Sequence, residues 1–185
     1  MYKINRIKIG GFRRLMDVDL QVRPFMVLIG ANGVGKTSLL DALSLLSASA
    51  SGNLSSMLSQ FGGVAGLLTR GKSDEVSFLV DMTVPGHNPL EYTLQITTKG
   101  AGHAISRETL SQQRERFSGP FFHIDSRDGD IRYYETDKRR LVRPDWEHNP
   151  SETSLSQVPK MFRQPEELRR VLATVTQYHV LDVGP

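Results

Sequence analysis

Eight consecutive residues carry the strongest chemical signal in this chain. Gly30-Ala31-Asn32-Gly33-Val34-Gly35-Lys36-Thr37 fits G-x-x-x-x-G-K-[ST] in full. The spacing has a physical purpose. Glycines let the backbone curl so that successive N–H groups point inward and cradle phosphate oxygens. A helix starting at the lysine adds its N-terminal partial charge. Lys36 brings a full charge toward β- and γ-phosphates, Thr37 offers a hydroxyl to Mg²⁺, and Ser38 reaches the α-phosphate. The candidate nucleotide contacts are Gly30, Asn32, Gly33, Val34, Gly35, Lys36, Thr37 and Ser38. Lys36 is the candidate catalytic group, and ATP with Mg²⁺ is the expected cofactor.

Such a loop needs a strand leading in and a helix leading out. Phe25-Met26-Val27-Leu28-Ile29 is a continuous apolar run, which predicts a strand buried on both faces. Lys36 to Ser49 predicts a helix, with Leu39, Leu43 and Leu46 on one stripe. Before them, Tyr2 to Gly10 and Asp17 to Val22 read as strands. Residues 47 to 66 are rich in serine, glycine and alanine, and predict a mobile connection with one short helix. From Glu75 the period becomes two. Val76 to Val84, Leu90 to Ile96, Ala104 to Leu110, Phe121 to Asp125 and Ile131 to Glu135 form an expected antiparallel meander, with a hairpin at Asp128-Gly129. Lys138 to Thr153 reads as irregular. Pro165 predicts the start of a helix with Leu168, Val171, Leu172 and Val175 as its stripe. Tyr178 to Val183 predicts a last strand.

Composition limits the alternatives. The 185 residues include no cysteine, which excludes thiolate metal sites and cysteine nucleophiles. Lys and Arg number 23 against 20 acids, a formal charge of +3 that permits nucleic-acid contact without requiring it. No apolar run is long enough to span a bilayer, so the expected location is the cytoplasm. Asp125, Asp128 and Asp130 fail the calcium-loop spacing and read as hairpin residues. The bases Arg127, Arg132, Lys138, Arg139, Arg140 and Arg143 are largely offset by Asp128, Asp130, Glu135 and Asp137, and read as a solvated face. The motifs that complete a GTPase, Asp-x-x-Gly and Asn-Lys-x-Asp, do not occur.

Ile9-Gly10-Gly11-Phe12-Arg13-Arg14-Leu15, a strand, and then Val27 to Leu43 with Asn32-Gly33 inside the loop and Leu39-Leu40-Asp41-Ala42-Leu43 on its helix resemble the start of the SMC/RecF-like branch of ABC ATPases. The bacterial AAA-labelled ATPases of that branch are the most similar. Leu67-Leu68-Thr69-Arg70-Gly71 before the strand at Val76 extends the likeness, which is specific over residues 4 to 84. The resemblance implies an α/β fold: the N-terminal lobe of an ABC/SMC-type P-loop core, with an antiparallel β-subdomain. Its parts would be residues 1–50 (strands, P-loop and helix), 51–72 (connection), 73–136 (β-subdomain) and 137–185 (loop, helix and strand).

The resemblance also implies roles outside the loop. Arg13 and Arg70 would touch the nucleotide, although a solvated basic turn explains Arg13 and Arg14 equally well. Gln157 would approach Mg²⁺, against an ordinary polar loop residue as the other reading. Two heads would sandwich two ATP molecules, in DNA repair, chromosome handling or phage defence.

The signature loop, a Walker B Asp-Glu and a switch histidine are missing from the sequence. Asp81 and Asp182 imitate Walker B superficially but read as structural. The expected partner is therefore the C-terminal lobe of the same ATPase, with DNA or an effector protein as further candidates. A chain that binds ATP with little hydrolysis is the expectation. The alternatives are a self-contained small P-loop kinase and a nucleotide-gated interaction module for DNA or protein.

Overall fold

The computed structural model describes residues 1–114 and 119–175. β1 (Lys3–Phe12) and β2 (Leu15–Gln21) form a hairpin, and α1 (Lys36–Ala50) follows the glycine loop. α2 (Leu54–Gln60) and α3 (Val64–Leu67) lead to β3 (Glu75–Val84), β4 (His87–Lys99), β5 (Gly102–Gln112), β6 (Phe121–Arg127), β7 (Asp130–Glu135) and β8 (Arg140–Val142). α4 (Ser154–Gln157) and α5 (Arg163–Ala173) close the described chain.

All eight strands lie in one antiparallel sheet, ordered β2-β1-β3-β4-β5-β6-β7-β8. β1 thus belongs to the same sheet as the strands of the 73–136 meander. Ile7 and Ile9 of β1 stand opposite Val80 and Phe78 of β3, so β1 and the meander share one apolar face. Val76, Phe78, Val80 and Met82 alternate into that face, as do Leu90, Tyr92, Leu94 and Ile96. Alternation in sequence thus becomes one buried side and one polar side. The helices cover the buried side: Leu39, Ala42, Leu45 and Leu46 of α1 and Leu168 and Leu172 of α5 join the same core.

The largest departure concerns Phe25 to Ile29. It forms no strand, and its side chains are exposed, Phe25 at 82% and Ile29 at 91%. A run that is apolar on both sides needs neighbours on both sides. The described residues supply none, since β2 is the edge of the sheet and pairs only with β1. The 47–66 stretch is also more ordered than its composition suggests. α1 runs on to Ala50, and Leu54, Leu58, Val64 and Leu67 are buried. The 138–153 stretch contains β8, and α5 begins at Arg163, so that Pro165 sits inside the first turn. Val175 lies beyond that helix. The strand expected at Tyr178 to Val183, with Asp182, lies outside the described residues. No helix among the described residues is long and apolar enough to cross a membrane.

Two buried carboxylates tie the helices to the sheet. Glu108 of β5 accepts hydrogen bonds from Tyr92 Oη (2.9 Å), Ser154 N (2.6 Å) and Leu155 N (2.8 Å). Burial pushes its carboxyl above the ordinary range, opposed by the amides of Leu155 and Ser154. Glu152 accepts from Leu54 N (2.8 Å) and Ser55 N (3.0 Å), and so caps α2, whose own N-cap Asn53 provides no side-chain bond.

One glycine is irreplaceable on geometric grounds. Gly11 has φ +68°, and a Cβ there would meet the Glu75 carbonyl oxygen at 2.1 Å. That contact is with backbone, so the clash cannot be relieved by a side-chain rotation. Gly11→Ala is expected to lower unfolding free energy by about 2 kcal/mol or more, read from urea denaturation. A loss below about 0.5 kcal/mol contradicts the assigned register.

Candidate nucleotide site

The phosphate loop joins the exposed 25–29 run to α1. Gly33 (φ +80°) and Gly35 (φ +112°) take left-handed backbone that L side chains resist. Gly35 is the N-cap of α1 and has no side chain to cap with. The helix ladder begins with Leu39 N donating to Gly35 O at 2.9 Å. The amides of Lys36, Thr37 and Ser38 therefore have no partner within the helix. No acidic residue lies in the first turn. These are the conditions for an anion site.

A cavity of about 160 Å³ sits at this helix end, lined by Asn32, Gly33, Gly35, Lys36, Thr37, Ser38 and also Arg14. The Lys36 ammonium folds back over the loop and donates to Gly30 O (2.6 Å) and Ala31 O (2.8 Å). Thr37 is exposed and Ser38 is buried. The donor set fits a polyphosphate: amides, an ammonium, two hydroxyls and a guanidinium. Thr37 is the hydroxyl available to Mg²⁺, and no cluster of His, Asp and Glu suited to a metal occurs among the described residues.

The two arginines of the β1–β2 turn do different things. Arg13 takes φ +50°, and its N–H donates to Leu67 O at 2.5 Å. Its guanidinium is ion-paired with Asp41 of α1 and lies 4.9 Å from the Phe61 ring centre and 5.7 Å from that of Phe12. Arg13 is thus engaged in holding the turn against α1 and α2. Arg14 is the residue that reaches the phosphate cavity. A Cβ built on Gly35 would lie 3.7 Å from the Arg14 Cβ.

A wider cleft of about 640 Å³ adjoins the loop through Gly33 and Arg14, with Arg13, Thr69, Arg70 and Lys72 also in its wall. Arg70 is part of the wall of this cleft. Thr69 is 8% exposed, and its Oγ1 is buried with no hydrogen-bond partner among the described residues. Its backbone is fixed: Thr69 N donates to Gly11 O (3.0 Å) and Lys72 N to Thr69 O (3.0 Å). Thr69 and Lys72 were not singled out from sequence. The signal available was a Thr-Arg-Gly-Lys turn directly before β3.

Gln157 is not brought to Thr37. Its Oε1 accepts from Asn149 N (2.7 Å), and its Nε2 donates to the carbonyls of Asn149, Glu152 and Thr153. The neighbouring Thr153 Oγ1 donates to Ser49 O (2.7 Å), near the C-terminal end of α1. Thr37 is at the other end of that 15-residue helix, about 18 Å away at ~1.5 Å per residue. Asp81 points to the polar side of the sheet, 3.9 Å from Arg6. Asp125 pairs with Arg127, and Asp130 with Arg132 and Arg143, as hairpin residues do.

A family model described as "AAA domain, putative AbiEii toxin, Type IV TA system" matches residues 25–170. The chain belongs to that family. Its AAA domain is a P-loop ATPase domain, and such domains use a nucleotide and as a rule Mg²⁺. The match opens at Phe25, so the AAA domain includes the loop, α1 and the meander, while Arg13 and Arg14 lie upstream of the matched stretch. Comparison with curated proteins gives no match.

The two turn arginines should separate experimentally. Arg14→Ala is expected to weaken ATP binding at least fivefold, about 1 kcal/mol, with the thermal transition unchanged. Arg13→Ala is expected to lower the melting temperature by several degrees, because it removes both the Asp41 pair and the stacking on Phe61. Equal effects on both properties would refute the division of labour.

Proposed function

We propose that this chain is an ATP-binding lobe of an ABC-type ATPase of the SMC/RecF-like kind, which binds the nucleotide without efficient turnover by itself. The observation that carries this reading is the uncapped start of α1, opening on a cavity lined by Lys36, Ser38 and Arg14. Phosphates occupy that cavity, Thr37 meets Mg²⁺, and base and sugar extend into the wider cleft beside Thr69, Arg70 and Lys72. Weak turnover follows from the chemistry of the walls. Among the described residues neither cavity has an acidic side chain in its lining, so none of them offers a carboxylate there to activate water.

The exposed 25–29 run supports a second lobe. All five apolar residues are exposed to some degree, and the two most exposed, Phe25 and Ile29, forgo about 1.5–3 kcal/mol each of burial. A C-terminal lobe of the same ATPase, packed against this run, covers it and supplies the missing base. Two such assembled heads would then close over ATP. The open cationic cleft also favours a second reading, a nucleotide-gated DNA contact, which would show as affinity falling steeply with salt.

Calorimetry with ATP and Mg²⁺ on the wild type and on Lys36→Ala, with phosphate release followed in the same samples, tests the main reading. Expected are binding by the wild type, a loss of affinity of about tenfold or more in the variant, and negligible release. Steady turnover by the 185-residue chain would sink the missing-lobe argument and favour a self-contained small enzyme.

A further inference from the structure

The cleft beside the phosphate loop carries more positive charge than a nucleoside triphosphate needs. Its wall contains Arg13, Arg14, Arg70 and Lys72, and no acidic side chain among the described residues. Arg13 is already paired with Asp41. Arg14, Arg70 and Lys72 are exposed, and none has an ion pair among the described residues. Asp74, two residues after Lys72, is exposed and is not part of that wall.

These cations are placed by two turns that are bonded to each other. Thr69 N donates to Gly11 O (3.0 Å), Arg13 N donates to Leu67 O, and Phe12 bridges to Leu68. The 69–72 turn also closes on itself, since Thr69 O accepts from Lys72 N (3.0 Å) and Ser73 N (3.2 Å). Gly71 supplies the left-handed residue of that turn (φ +67°), and Arg70 and Lys72 on either side of it both reach the cleft wall. The backbone beneath both cations is therefore fixed relative to Arg14 and the phosphate loop.

A charge count separates the two cavities. A triphosphate bound with Mg²⁺ has about two net negative charges. Lys36 and Arg14 line the phosphate cavity and answer them there. The base and ribose that follow are uncharged, so Arg70 and Lys72 face no negative group of ATP. A phosphomonoester carries about −1.5 to −2 at pH 7 and matches this pair. The guanidinium offers a fork to two phosphate oxygens, and the ammonium adds a point charge.

We propose that Arg70 and Lys72 form a second phosphate subsite, and that the preferred ligand is a nucleoside 5′-triphosphate with a further phosphate on a ribose hydroxyl. This rests on the nucleotide reading above and narrows it from ATP to a nucleotide phosphorylated on both sides of the ribose. Two sources share that chemistry. One is a free nucleotide with a 2′- or 3′-monophosphate. The other is the 5′-triphosphate end of a polynucleotide, whose first 3′-phosphate is a diester.

The test is calorimetric titration of the full chain with Mg²⁺ and four probes: ATP, its 2′- and 3′-monophosphates, and the dinucleotide pppApA. At least one phosphorylated probe is expected to bind about tenfold or more tightly than ATP. That ratio should fall below about twofold in Lys72→Gln, with Arg70→Gln as the second variant. The ratio is the readout because a general loosening of the site weakens all four ligands alike. A gain confined to the monophosphates assigns the subsite to a free nucleotide, and a gain shared by pppApA assigns it to a polynucleotide end. Equal affinity for ATP and the other three, or a ratio that survives both substitutions, overturns the subsite and leaves ATP binding in place. Failure of ATP and of every derivative to bind overturns the nucleotide reading together with it.

Discussion

The nucleotide site depends on where the β1–β2 turn is pinned. Arg13 joins that turn to three helices: its guanidinium to Asp41 of α1 and Phe61 beyond α2, and its amide to the last carbonyl of α3. An exposed ion pair contributes little to stability. This one is partly buried and shared with two aromatic rings, so loss of the side chain removes ion pairing and packing together. Its effect on function is geometric. With the turn held against α1, Arg14 projects beside Gly35 and becomes part of the phosphate cavity. The left-handed backbone at Arg13 costs about 1 kcal/mol or more, which the surrounding contacts offset.

The opposite end of α1 is held by a different device. Thr153 bonds the Ser49 carbonyl, while Glu108 and Glu152 on either side cap α4 and α2. The bond from Tyr133 Oη to Ser154 O (2.8 Å) adds the sheet to this junction. Here lies the physical reason that Gln157 is structural in position: its amide is used up in holding the 149–157 loop. α1 is therefore held at both ends, by the Arg13 guanidinium near its start and by the Thr153 hydroxyl near its finish.

The loop and α1 were legible in sequence because glycine, lysine and threonine at fixed spacing have few other uses. The meander was legible because strict alternation, as in Val76 to Val84, has one structural meaning. The pairing of β1 with β3 was not, since no local pattern tells Ile7 and Ile9 which strand to meet. The fate of Phe25 to Ile29 was not legible either. Hydrophobicity states that a segment gains by burial, not whether neighbours are present to bury it. Arg13 and Arg14 look alike in sequence, and only the turn geometry assigns one to Asp41 and the other to the cavity.

The phosphate loop is anchored asymmetrically. Downstream it continues into a clamped helix. Upstream, among the described residues, none of the backbone–backbone hydrogen bonds outside helices and strands involves residues 24–30. Ile29, the most exposed of the apolar run, is covalently joined to Gly30, whose carbonyl already holds Lys36. The loop is thus a cantilever fixed at one end, and its unsupported leg is the hydrophobic run itself. Linkage makes the consequence reciprocal: whatever immobilises that leg alters phosphate affinity, and phosphate alters the affinity for whatever immobilises it, by the same factor.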